Sequence, residues 1–173
     1  SFNVEYENPT GWARSLLDGN EWRDAGMRYT TQLDLLPFGR LAANEWENAA
    51  QLDAVAAQLT SALKGLKTQQ HYQWVLIDLP HGVSPLARHF IDLCDNLFTI
   101  IKPDTNCHVR LHQQPLPTGA HLLINDLRIG SQLQDDLWQV WLQSQPRMMP
   151  MVIHRDEAMA ECLASKQPLG EYR

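Results

Sequence analysis

Asp78 is the residue of this chain best placed to do chemistry. It closes the apolar run Gln73-Trp74-Val75-Leu76-Ile77, and Leu79-Pro80-His81-Gly82 breaks the chain just beyond it. A short apolar run bounded by proline and glycine predicts a buried, parallel strand, and ligands of open α/β sheets sit beyond the carboxyl ends of such strands. A carboxylate at that tip holds a metal ion, directly or through water, or takes part in a reaction. Pro80 and Gly82 equally allow it to cap a turn. The local pattern leaves both readings open.

Other constellations are weaker. A phospho-accepting receiver domain would use Asp78 as acceptor and Lys102 as the acyl-phosphate ligand. It needs an acidic pair near its first strand and one more strand between acid and lysine, whereas Lys102 ends the very next predicted strand. A P-loop nucleotide site uses an apolar strand ending in Asp to organise the water around Mg²⁺. Its companion is a Gly-rich phosphate cradle, and no G-x-x-x-x-G-K-[ST] occurs in the 173 residues. Cys107, His108 and His112 fall on one short helix, with the histidines at i and i+4, a spacing that holds transition metals. No third histidine, paired carboxylate or second cysteine pair supports it, and a solvated helix face is the simpler reading. Ser84 and Ser131 lack a G-x-S-x-G elbow, so a hydrolase triad has no anchor.

The elements that must position these residues alternate along the chain. Strands are predicted at 33–39, 73–78, 96–103, 120–126 and 150–154, and helices at 47–67, 85–94, 107–113, around 133–141, and after Asp156, which caps the last one. Leu52, Val55, Ala56, Leu59, Leu63 and Leu66 give the first of these helices its apolar stripe. Trp12, Leu16 and Leu17 fit a further helix near the N-terminus and residues 22–27 another. Trp138 and Trp141, at i and i+3, are core or packing residues, one of them able to reach the surface as a partner contact. Strand–helix alternation predicts an α/β fold with a doubly wound, mostly parallel sheet in one domain. Composition agrees: 44% hydrophobic and 20% charged residues describe a globular chain, and a net charge of −6 argues against a generally basic nucleic-acid surface. No apolar run approaches the length of a membrane span, no secretory signal layout opens the chain, and three scattered cysteines point to a reducing, cytoplasmic setting.

Longer blocks carry a resemblance. They include Gly11-Trp12-Ala13-Arg14, Leu33-Asp34-Leu35-Leu36-Pro37-Phe38-Gly39 and Tyr72-Gln73-Trp74-Val75-Leu76-Ile77-Asp78-Leu79-Pro80. Further on come Asn106-Cys107-His108-Val109-Arg110-Leu111-His112-Gln113-Gln114, Leu123-Ile124-Asn125-Asp126-Leu127-Arg128-Ile129-Gly130-Ser131-Gln132 and Ile153-His154-Arg155-Asp156-Glu157-Ala158-Met159-Ala160-Glu161-Cys162. In this order they resemble the MinD/ParA family of deviant Walker P-loop ATPases, and within it the branch serving cellulose biosynthesis in enterobacteria.

The resemblance implies a truncated P-loop NTPase fold, a single incomplete nucleotide-binding domain over 1–173. It implies ATP and Mg²⁺ as ligands, with Asp78 ordering the Mg²⁺ shell through water. Asn125 looks like the family's adenine-reading asparagine, its amide able to donate and accept; a strand-end turn residue is its plainer reading. Ile153, His154 and Asp156 would form the other wall of the base pocket, and Pro103 and Asp104 would lie near the nucleotide and partner face. The family's first β-α-β unit of roughly 30 residues, with the phosphate loop and the water-positioning acid, is expected upstream of Ser1, and a last helix beyond Arg173. A homodimer with nucleotide between protomers, acting with other cellulose-secretion proteins to localise or assemble the synthase complex at the inner membrane or a cell pole, is the implied role. A non-catalytic scaffold that keeps the fold for protein contacts is the alternative.

Overall fold

The computed structural model describes residues 9–69, 71–79 and 84–172. They form an α/β protein that divides into two compact units, Ser1–Cys94 and Asp95–Arg173.

The first unit is mostly helical. It comprises α1 (Trp12–Leu17), a 3₁₀ turn (Trp22–Ala25), a hairpin of β1 (Met27–Thr30) and β2 (Leu33–Leu35), then α2 (Ala43–Glu47), α3 (Ala49–Gln69) and α4 (Pro85–Ile91). Leu52, Val55, Ala56 and Leu59 recur at helical spacing on α3, so one stripe is buried against Trp12, Leu41 and Phe90. Asn48 separates α2 from α3, and its Oδ1 accepts from the Gln51 amide at 3.2 Å, capping the longer helix. Ser84 does the same for α4, its Oγ accepting from the Ala87 amide at 3.1 Å, with Pro85 in the first turn. Trp12 meets Phe38 and Phe90 edge-on at 5.1 and 5.9 Å. Gly11 and Gly39 make this packing possible. Their backbones cross so closely that a Cβ on Gly11 would collide with Gly39, and Gly39 adopts φ +92°.

Three expectations change here. Residues 33–39 do not supply a parallel strand: Leu33–Leu35 pairs antiparallel with Met27–Thr30, and the chain beyond is irregular. A tight turn at residues 31–32, where the Gln32 amide donates to Thr30 Oγ1 at 3.2 Å, makes the local hairpin partner the nearest one available. Helix over 22–27 shrinks to one 3₁₀ turn, because Gly26 already takes extended angles and the hairpin claims Met27. Residues 73–78 form no strand. Trp74 is 75% and Leu76 90% exposed, and only Ile77 and Leu79 pack towards the core of this unit. An apolar run is buried as a strand only when neighbouring strands accept its backbone bonds and cover its faces, and among the described residues none lies alongside. Pro80, His81 and Gly82 lie outside the described residues.

The second unit follows the predicted pattern. It runs β3 (Phe98–Ile101), α5 (Thr105–Gln113), β4 (His121–Leu127), α6 (Gln132–Ser144), β5 (Met148–His154), α7 (Glu157–Ser165) and a 3₁₀ turn (Leu169–Glu171). The strands form one parallel sheet in the order β3-β4-β5, with Ile101 opposite Ile124 and Ile124 opposite Val152. Leu122, Ile124 and Leu127 of the central strand are buried with Ile101 and with Trp141 of α6, which is 1% exposed. Trp138, one turn earlier, is half-buried and packs on the same cluster. Both tryptophans therefore serve the core. No helix among the described residues is long and apolar enough to cross a membrane.

Candidate functional site

Parallel strands end in one layer, so the residues at or just after the carboxyl ends of β3, β4 and β5 share an edge. On β3 that means Lys102, Pro103 and Asp104. Pro103 is fully buried and, lacking an amide N–H, stops the strand. Asp104 caps α5, its Oδ1 accepting from the Cys107 amide at 2.8 Å. On β4, Asn125 is half-buried and Asp126 takes the left-handed conformation at φ +65°. On β5, Ile153 and His154 are exposed, Leu127 stands opposite His154, and the Arg155 amide donates to the Leu127 carbonyl at 2.8 Å.

Two charged pairs flank the edge. Lys102 Nζ donates to Asp126 Oδ2 at 2.9 Å, and Arg155 Nε meets Glu157 Oε1 at 3.0 Å. The hydrogen bond from Lys102, helped by the positive charges of Lys102, Arg155 and Arg128, holds the Asp126 carboxyl below the usual carboxylate range. Asp156 Oδ1 accepts from the Ala158 amide at 2.9 Å, so this carboxylate caps α7 as its sequence context predicted.

The fold thus brings Asn125, Ile153, His154 and Asp156 to one edge of the second unit. Asp78 belongs to the first unit, where it is exposed at the end of the unpaired run. A half-buried carboxamide with an apolar side chain and an imidazole on the adjacent strand offers paired donors and acceptors beside a flat contact, the chemistry that recognises a heteroaromatic base. Among the described residues no group of three His, Cys, Asp or Glu side chains is placed to hold a metal ion. Mg²⁺ makes a lighter demand, using one or two carboxylates while keeping waters and phosphate oxygens.

On α5, His108 Nδ1 accepts from Trp141 Nε1 at 3.1 Å and its ring stacks on the indole, while His112 meets His108 edge-on at 4.8 Å. His108 is thereby committed to packing α5 against α6.

Sequence reading missed the Lys102–Asp126 pair. Its signal was available: each residue is the first charged one after the apolar body of its strand. What had to be known besides was that the two strands are neighbours. It also missed the cluster in which Asp34 accepts from Arg28 at 2.6 Å and from the Tyr72 hydroxyl at 2.8 Å, since residues 38 apart in sequence give no local pattern.

The whole chain, residues 1–173, matches the profile of the family described as cellulose biosynthesis protein BcsQ. The chain belongs to the BcsQ family. It is 65% identical over all 173 residues to the cellulose biosynthesis protein BcsQ of Salmonella typhi, of which it covers 69%. The same identity and coverage hold for the BcsQ of Salmonella typhimurium. It is 59% identical to the putative cellulose biosynthesis protein BcsQ of Escherichia coli strain K12, covering 72% of that protein. BcsQ membership ties this α/β fold, with its parallel β3-β4-β5 edge, to cellulose biosynthesis.

Proposed function

We propose that this BcsQ-family chain is a MinD/ParA-like ATP-binding protein that helps localise or assemble the cellulose synthase complex at the inner membrane or a cell pole. In this reading Asn125 reads the adenine, Ile153 and His154 line the base, Asp156 stiffens the same turn through its cap, and Asp78 orders the Mg²⁺ shell through water. Bound Mg²⁺-ATP supplies the free energy of a nucleotide-dependent homodimer, which then engages other cellulose-secretion proteins. The observation that carries the reading is the shared carboxyl edge of three parallel strands, where Asn125 and the β5 tip converge beside the Lys102–Asp126 pair. Such edges are where α/β sheets hold ligands.

Calorimetric titration of the full-length chain tests it. Asn125→Ala is expected to weaken Mg²⁺-ATP binding about tenfold, the effect of losing one or two oriented hydrogen bonds. Asp78→Ala is expected to weaken it only when Mg²⁺ is present. Titrations of both variants that match the parent remove both roles.

The alternative reading is a scaffold that uses the fold for protein contacts without hydrolysis. Sequencing the DNA upstream of the Ser1 codon separates the two. An in-frame Gly-rich loop with its lysine supports the ATPase, and a start codon at that point supports the scaffold.

A further inference from the structure

The tip of β4 is held unequally on its two sides. Towards β5 the backbone does the work: Leu127 stands opposite His154 and its carbonyl accepts from the Arg155 amide at 2.8 Å. Towards β3 the ladder stops at Ile101 opposite Ile124, because Pro103 ends that strand and Lys102 turns away, its carbonyl accepting from the Asp104 amide at 2.8 Å. Among the described residues, Asp126 and Leu127 therefore lie past the last registered pair of this ladder. This is also where β4 is irregular, since its register with β5 shifts between Ile124 and Leu127 and Asp126 sits at φ +65°. A left-handed aspartate is tolerated but not favoured, and it stays there only when its surroundings select it. Lys102 Nζ crosses the gap, donating to Asp126 Oδ2 at 2.9 Å.

We propose that Lys102 and Asp126 are positioning residues: their ion pair, bridging the tips of β3 and β4, holds the left-handed turn that presents the Asn125 carboxamide to the ligand. The inference rests on Asn125 reading a nucleobase. Stability is a poor explanation for the pair, because Lys102 is largely exposed and surface pairs contribute little to folding. Geometry is what it controls. Asn125 is covalently next to Asp126, so a change at φ of residue 126 re-aims the preceding carbonyl and loosens the strand end from which the amide projects.

Competition binding of ATP against GTP by the full-length chain tests the role, with thermal midpoints measured alongside. Lys102→Met is expected to lower the preference for ATP about tenfold, the loss of one oriented hydrogen bond to the base, with the midpoint nearly unchanged. Asp126→Asn keeps a residue that accepts the left-handed conformation while removing the charge, and should lose the preference similarly. Lys102→Arg retains the pair and should restore it. If Asn125→Ala abolishes the preference while Lys102→Met and Asp126→Asn keep it, the positioning role is wrong and base reading stands. If Asn125→Ala keeps the preference, base reading itself fails, and the inference falls with it. A fall in midpoint with preference intact marks the pair as structural only and overturns the proposal.

Discussion

At the scale of single residues, the charges of this protein do more local fastening than catalysis. Asp126 is fixed by Lys102, and Asp34 by Arg28 and Tyr72. Glu45 is fixed by the Ala42 amide, from which it accepts at 2.7 Å, and by Arg14. Hydrogen bonds of this kind favour the ionised form, so all three carboxyls lie below their ordinary range. A carboxyl lower in the folded than in the unfolded state contributes stability that is present above the unfolded value. It is lost as pH falls from about 4 through the folded value. The thermal midpoint is therefore expected to be flat from pH 7 to about 5 and to fall below about 4. Scanning calorimetry across pH 2–7 would read that fall. A midpoint that rises on acidification contradicts the pairing. Asp78 was legible from sequence as an acid after an apolar run, and Asp156 as a helix cap. The Asp126 pair was not, because it depends on which strand lies beside β4.

At the scale of elements, proline and periodicity explain what could be read. Pro103 ends β3, Pro146 marks the turn between α6 and β5, and the alternation of apolar runs with helical stripes predicted the second unit almost element by element. The first unit was less legible for two physical reasons. Strand direction is not written in a local pattern, so residues 33–39 read as a parallel strand although Leu33–Leu35 closes a hairpin with Met27–Thr30. Burial, in turn, belongs to a strand's neighbours, so the run at 73–78 reads as core although Trp74 and Leu76 are open to solvent. This difference has a measurable consequence. Trp74→Ser should change unfolding stability by less than about 0.5 kcal/mol, as at other exposed sites. Trp141→Ala should cost about 3–5 kcal/mol, since it empties the centre of the second unit and leaves His108 without its donor. Denaturant titration gives both values, and equal losses would mean that Trp74 is buried in solution.

At the scale of the whole molecule, the BcsQ-family chain comprises a helical unit carrying Asp78 and a β-α-β-α-β unit carrying the edge proposed to read the base. A half-buried amide beside an apolar strand tip has the chemistry that suits a base. That edge is the proposed nucleotide site. Photo-crosslinking of the full-length chain with 8-azido-ATP, followed by mass spectrometry of the labelled peptides, tests it most directly. Label is predicted on the peptides spanning 121–127 and 148–156, suppressed by excess ATP and reduced by Asn125→Ala. ATP-suppressible label confined to other segments, or none at all, would contradict the account.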